Sequence, residues 1–249
     1  MIAAFDLFRP HHEELRKRLI RSFLAIGICT VIAYIFIDQV AALCTRPLFL
    51  ADPALKTLVY TKLTEAFISY IKLALLVGIL VSFPYLLYQA WMFIAPGLLD
   101  HEKRIARRVV FWATGLFAAG GLFAFFIVLP KTLAFFMSYA GTNLEPMPKL
   151  GLYLTFVARL VLAFALAFEI PFLMTMASAT GLINREYFSQ KRKYFYIAIV
   201  ILSFLLTAGD VTGTVLLSFP LFGLYEAGIM ACRVFSGKKE ADKAEEEEV

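Results

Sequence analysis

The residues of this chain best able to do chemistry are its carboxylates, and they stand in three settings. Glu13 and Glu14 lie in HHEELRKRL, with Lys17 and Arg18 four positions on. On a helix these are i,i+4 pairs, worth a few tenths of a kcal/mol at a surface. Asp100 and Glu102 lie in LLDHEKRIARR. Asp100 has Lys103 and Arg104 at i+3 and i+4, whereas Glu102 has Ile105 and Ala106 there and Leu98 and Leu99 behind it. If that segment is helical, Glu102 has no cation on its own face and is available to an outside partner. Glu169 lies in VLAFALAFEIPFLMTM, where a threonine is the one other polar residue within eight positions. A charge at the centre of a membrane helix costs about 2.5–3.5 kcal/mol on insertion scales. Such a carboxylate has to be partnered, protonated or used.

Several chemistries are excluded. His11, His12 and His101 are the histidines, and both HE pairs lack the second histidine of a zinc-protease HExxH, with Arg16 and Ile105 in its place. No GxSxG nucleophile and no phosphate-binding GxxxxGK[ST] loop occurs. Cys29, Cys44 and Cys232 are odd in number and far apart, which fits neither a disulfide framework nor a metal site. No enzyme, metal or cofactor is expected. The net charge of +5 is explained by the placement of lysine and arginine around membrane spans rather than by nucleic acid.

These residues must be positioned by membrane helices. The chain is 61% apolar and 17% charged, with mean hydropathy +0.76; soluble domains run nearer half apolar and a quarter charged. The expected fold is all-α, a polytopic membrane protein with six transmembrane helices at about 20–37, 67–93, 109–129, 150–179, 194–207 and 211–231. The first is read as an uncleaved span, because the small-residue cleavage site is poor. The second is ended by Pro96 and Gly97, the third by Pro130, and the fourth by Gly181 as a C-cap. The fifth, with some 14 residues, is about 21 Å long against a bilayer core of about 30 Å. It pairs with the sixth as a short hairpin that thins the bilayer; a re-entrant hairpin is the alternative. Seventeen lysines and arginines fall on the side of the N-terminus and five on the other, which puts both termini in the cytoplasm. Residues 1–235 form the membrane domain, and the charged residues 236–249 are expected to be a disordered tail. Pro84, Pro171 and Pro220 lie within inward-running spans and read as Pro-kinked packing, with carbonyls re-satisfied by protein or water.

The motifs then resemble a known family. HHEELRKRL resembles the HLxELRxRL signature at the N-terminus of the TatC subunit of twin-arginine protein translocases. YQAWMFIAPGLLDHEKR is similar to that family's first cytoplasmic loop, with its FxxPgLxxxEk pattern, and FEIP, RKYF and the short last spans also match. The resemblance extends from about Arg9 to Arg233. It implies a receptor for signal peptides bearing paired arginines on folded cargo. It also implies single-span partners of the TatA and TatB type, transport driven by the protonmotive force, and a multi-pass place in the bacterial cytoplasmic (inner) membrane. A homo-oligomer within a larger complex, surrounded by lipid, belongs to the same expectation. Glu14 and Glu102 match the recognition carboxylates, supported by Arg16, Phe93 and Arg104. Each carboxylate can take an arginine bidentately, which lysine cannot imitate. Glu169 matches the family's intramembrane glutamate, and Asp210 an acid in its last outward turn. Thr207 and Thr214 join them as polar partner contacts. His12 departs from the signature's leucine, TAGD from a TPPD-like turn, so that Gly209 is expected to loosen the hairpin, and Thr214 from a common glutamine.

Two expectations for Glu169 compete. In one it faces a wet, concave surface and meets a partner or cargo. In the other it is buried and protonated, and bonds the Ala167 carbonyl that Pro171 leaves free. The runner-up function, a proton-coupled secondary transporter using Glu169, would carry an inverted repeat, and none is found. A scaffold without a ligand is a further alternative.

Overall fold

In the computed structural model, residues 2–53, 55, 57–94, 100–138, 147–179, 183, 185–207, 209 and 211–247 are described, with side chains for all of these but 2–12, 94, 100–108, 179, 185 and 233–247. Asp210 and the predicted stops at Pro96, Gly97 and Gly181 lie outside them. Outside the connecting segments the described residues are helical: α1 (Ile2–Ile35), α2 (Ile37–Ala51), α3 (Glu65–Ile94), α4 (Asp100–Phe123), a π turn (Ala124–Val128), α5 (Leu129–Ser138), α6 (Leu150–Ala167), α7 (Glu169–Ala179), α8 (Arg185–Gln190), α9 (Arg192–Leu206) and α10 (Val211–Glu247). An isolated bridge between Val59 and Lys149 is the extended pairing among them.

Five stretches are long and apolar enough to cross a membrane: Glu13–Ile35, Glu65–Phe93, Val109–Ser138, Leu150–Ser178 and Val211–Cys232. The predicted fifth span is α9, 15 residues long, about 22 Å at 1.5 Å per residue. Other boundaries differ from expectation for physical reasons. The third span is predicted to stop at Pro130, yet the helix continues to Ser138. The Leu129 N–H bonds the Ala124 carbonyl, five residues back, and this wider turn accommodates a proline that would clash with an ordinary ladder. The fourth span is interrupted at Phe168, one residue after Ala167, whose carbonyl Pro171 leaves without a helical donor. Beyond the expected end of the first span near residue 37 a second helix, α2, forms. It buries Ile37, Ala41, Cys44, Pro47 and Leu48 at helical spacing. Residues 236–247, expected to be disordered, continue α10 as helix, as their alanine, glutamate and lysine content favours.

The chain divides into two compact units, 1–118 with 137–158, and 119–136 with 159–249. In the first, α1 and α3 run antiparallel and close together. A Cβ on Gly78 would overlap Thr30 Oγ1 and stand 2.8 Å from the Thr30 backbone nitrogen, so only glycine permits this crossing; small residues are what let membrane helices approach. Twelve residues along α1, Arg18 reaches Gln89, eleven along α3, the register an antiparallel pair requires. The far end of the unit is tied by hydrogen bonds. Tyr153 Oη donates to the Cys44 carbonyl at 2.7 Å. The Glu65 carboxylate accepts from the Thr61 N–H at 2.9 Å and the Gly151 N–H at 3.3 Å. One acidic side chain thereby caps the start of α6 and closes the turn that leads into α3. Phe83 stacks on Phe117.

In the second unit, Gly120 lies against α6: a Cβ there would come 2.6 Å from the Phe164 carbonyl and 2.8 Å from Phe168. Gly228 of α10 lies over α7, where a Cβ would meet Met174 Sδ at 2.8 Å and Pro171 Cα at 3.1 Å. α9 and α10 form the hairpin. Gly209 has φ +90°, and its N–H bonds the Phe204 carbonyl at 3.0 Å. Gly209 therefore closes the C-terminus of α9 in a conformation that favours glycine, and does not loosen the turn as predicted.

Candidate functional site

The N-terminal carboxylate is held at the end of the α1–α3 pair. Arg18 donates from Nε to Glu14 Oε1 at 3.0 Å, with a second short bond from Nη2 to the same oxygen. Its Nη1 donates to Gln89 Oε1 at 3.4 Å. Gln89 Nε2 in turn donates to Tyr85 Oη at 2.6 Å, which orients the amide with its oxygen toward the guanidinium. Gln89 is 5% exposed. Glu14 is thus engaged by Arg18, the pairing that i,i+4 spacing predicts, but the pair is also anchored across to α3. Arg16 is exposed and Phe93 is half-buried. Glu102 and Arg104 lie on α4, and their side chains fall outside the described residues. Reading the sequence alone misses Gln89 and Tyr85. A signal for them is present: a glutamine four residues after a tyrosine in the aromatic and apolar run YLLYQAWMF.

Glu169 opens α7 and is 6% exposed, with Oε1 buried and without a hydrogen-bond partner. The wet, concave setting expected for it is therefore corrected: within this chain the carboxyl group is enclosed. The burial half of the competing expectation is met.

A third polar group lines the α9–α10 hairpin. The Thr207 and Thr214 hydroxyls are 2.9 Å apart. Ser218 Oγ donates to the Thr214 carbonyl at 2.7 Å, and Ser203 is fully buried with its Oγ unpartnered. At the opposite end of the hairpin Glu226 accepts from Tyr196 Oη at 2.5 Å and pairs with Arg192 at 3.1 Å. Sequence reasoning names Thr207 and Thr214 but misses the Tyr196–Glu226–Arg192 group, whose members are distant along the chain.

None of these groups can run a reaction by itself. Among the described residues no cluster of histidine, cysteine, aspartate or glutamate could hold a metal. Burial pushes the Cys44 thiol up to about 11, so it is protonated at neutral pH and a poor nucleophile. What the arrangement offers is a guanidinium-binding carboxylate at one end of α1–α3 and hydroxyl-rich helix surfaces elsewhere.

The family profile described as Sec-independent protein translocase protein (TatC) matches residues 10–220. The chain belongs to the TatC family. It is 37% identical over 238 residues to the TatC protein of Desulforapulum autotrophicum, covering 96% of this chain and 88% of that protein. With TatC of Aquifex aeolicus the identity is 37% over 231 residues, 92% and 95% of the two chains. With TatC of Escherichia coli K12 it is 32% over 228 residues, 92% and 88%. A crystal structure of a twin arginine translocase receptor, TatC, superimposes with TM-score 0.82 at 36% identity, covering 90% of this chain and 98% of that one. TatC proteins are protein-translocase components and not enzymes, and the all-helical architecture found here matches their fold.

Proposed function

We propose that this TatC-family protein is the signal-peptide receptor of a twin-arginine translocation system. It binds paired-arginine signal peptides of folded cargo at its cytoplasmic face, through Glu14 and Glu102 with Arg16, Phe93 and Arg104. The observation that carries the reading is the Glu14 carboxylate. It already holds a guanidinium at the membrane edge of the α1–α3 pair, the contact a signal-peptide arginine would need. The likeness to the crystal structure of a twin arginine translocase receptor supports it. In this reading both termini are cytoplasmic in a bacterial inner membrane, residues 1–235 are the working domain, and transport draws on the protonmotive force.

The decisive experiment is binding. A peptide with two arginines ahead of an apolar run should bind the purified chain, and its Lys-Lys twin should bind much less, because lysine lacks the bidentate fork. Hydrogen bonds to charged groups are worth about 1.5–3 kcal/mol, so Glu102→Gln should weaken the Arg-Arg peptide by roughly ten- to a hundredfold. Glu13→Gln should change little. If Glu102→Gln leaves the affinity within twofold, Glu102 is only a solvated loop charge.

Partner recruitment of TatA- and TatB-type single-span subunits is assigned to α9 and α10, with Thr207, Asp210 and Thr214. The short α9 and the hydroxyls beside it support this, because an apolar span bearing one polar residue can hydrogen-bond there. Cysteines along Val215–Phe222 should cross-link to a co-expressed partner; cross-links confined to α4 would refute the assignment. Glu169 keeps a partner or cargo role only if α7 opens. Cysteine at 169 should then label with a polar thiol reagent faster with partners present than in the chain alone.

A further inference from the structure

Arg18 occupies the carboxylate proposed to receive the peptide. Three of its donors are spent, two on Glu14 Oε1 and one on Gln89 Oε1. Its side chain is 16% exposed, well withdrawn for an arginine at a membrane edge. Gln89 is not a passive bystander. It is buried in α3, and the 2.6 Å bond to Tyr85 Oη uses an amide hydrogen, leaving the carbonyl end for a cation. Glu14, Gln89 and Tyr85 thus build a guanidinium subsite from two helices, and the chain's own arginine fills it. A lysine would fit worse: its ammonium is a single point and could not bond Glu14 along one edge and Gln89 at the other.

We infer that Arg18 is an internal competitor for the twin-arginine site, and that Gln89, oriented by Tyr85, is a specificity-determining residue of that site. The inference rests on the receptor reading above and adds to it a latch. An incoming arginine displaces the Arg18 fork from Glu14 and takes up the Gln89 contact, and Arg18 swings toward solvent with its aliphatic stem still on α1. Only a guanidinium recovers all three hydrogen bonds lost, so the exchange costs little for Arg-Arg peptides and more for Lys-Lys ones. Apparent affinity falls by the fraction of molecules in which the latch is open. Opening the latch permanently should therefore tighten binding.

The test uses the full chain in lipid nanodiscs and a fluorescent Arg-Arg signal peptide with its Lys-Lys twin. Arg18→Lys keeps the charge and loses the fork; Arg18→Gln loses both. Both should tighten the Arg-Arg peptide by about three- to tenfold. Lys17→Gln removes a neighbouring exposed charge and reports the purely electrostatic gain, which should be smaller and shared by both peptides. Gln89→Met keeps the side-chain volume, loses the amide, and should weaken the Arg-Arg peptide by about three- to tenfold while leaving the Lys-Lys peptide within twofold. Tyr85→Phe should act in the same direction, and less. The latch is overturned if Arg18→Lys and Arg18→Gln leave Arg-Arg affinity unchanged or weaken it, which would make Arg18 a scaffold for Glu14. It is also overturned if both gain no more than Lys17→Gln. Failure of the receptor reading looks different: the unmodified chain would then fail to distinguish Arg-Arg from Lys-Lys at all.

Discussion

The helix α1 and the broken helix α6–α7 solve opposite problems. In an 18-residue stretch of Glu13–Ile35, 6% of residues are buried, against 44% in an 18-residue stretch of Leu150–Ser178. α1 turns Phe23, Leu24, Val31 and Ile35 outward, and its Glu14 and Arg18 are paired at one end, both partly exposed. α6–α7 is the better-enclosed helix, yet it carries the carboxylate with an unpartnered oxygen. The ion pair therefore sits where pairing is cheap to exchange, and the unpartnered carboxyl group where exchange requires helices to move. That is the division expected if Glu14 meets a passing peptide and Glu169 responds to a rearranging assembly.

The comparison is broken most severely by filling the close crossings. Gly78→Ala puts a methyl over Thr30 Oγ1 and 2.8 Å from the Thr30 backbone nitrogen and should cost about 3 kcal/mol, the upper end of overpacking effects. Gly27→Ala, with nothing within 4 Å, should be neutral. Unfolding in mild detergent compares the two, and equal stabilities would mean that α1 does not dock on α3 as described. Next in size is Glu169→Met, which removes a buried unpaired oxygen. It should stabilise the isolated chain by about 1–3 kcal/mol and still impair export in cells. A variant that destabilises the isolated chain would show that the carboxyl group is satisfied there.

Smaller effects test the tethers. Tyr153→Phe deprives the Cys44 carbonyl of its donor and should cost about 0.5–1.5 kcal/mol, seen as faster proteolysis between α2 and α3. Loss of protection elsewhere instead would argue against α2 as a docked helix. Thr207→Val should be the mildest, near 0.6 kcal/mol for an interhelical hydrogen bond in a membrane protein. Its larger consequence should be reduced cross-linking to a single-span partner, and unchanged cross-linking would detach the hydroxyls from partner docking.

Much of this protein is legible in local sequence. Apolar runs of membrane length mark the five long spans, and the i,i+4 spacing of Glu14 and Arg18 predicts their ion pair, because one helical turn brings them together whatever else the chain does. The shortness of α9 follows from counting residues. The family motifs in HHEELRKRL and LLDHEKR are local too, so they are readable without a fold. What local pattern misreads is proline and glycine: Pro130 looks like a stop but is absorbed by a π turn, and Gly209 looks like slack but closes a helix end. Both outcomes depend on hydrogen bonds five residues apart rather than four. Beyond that range sequence spacing carries no information. Gln89 joins Arg18 across 71 positions, Tyr153 reaches Cys44 across 109, and whether Glu169 met water or protein was decided by how α7 packs after its break. Helix formation is a local property of the chain, whereas the partner of a buried polar atom is chosen by whichever helix the tertiary fold lays beside it.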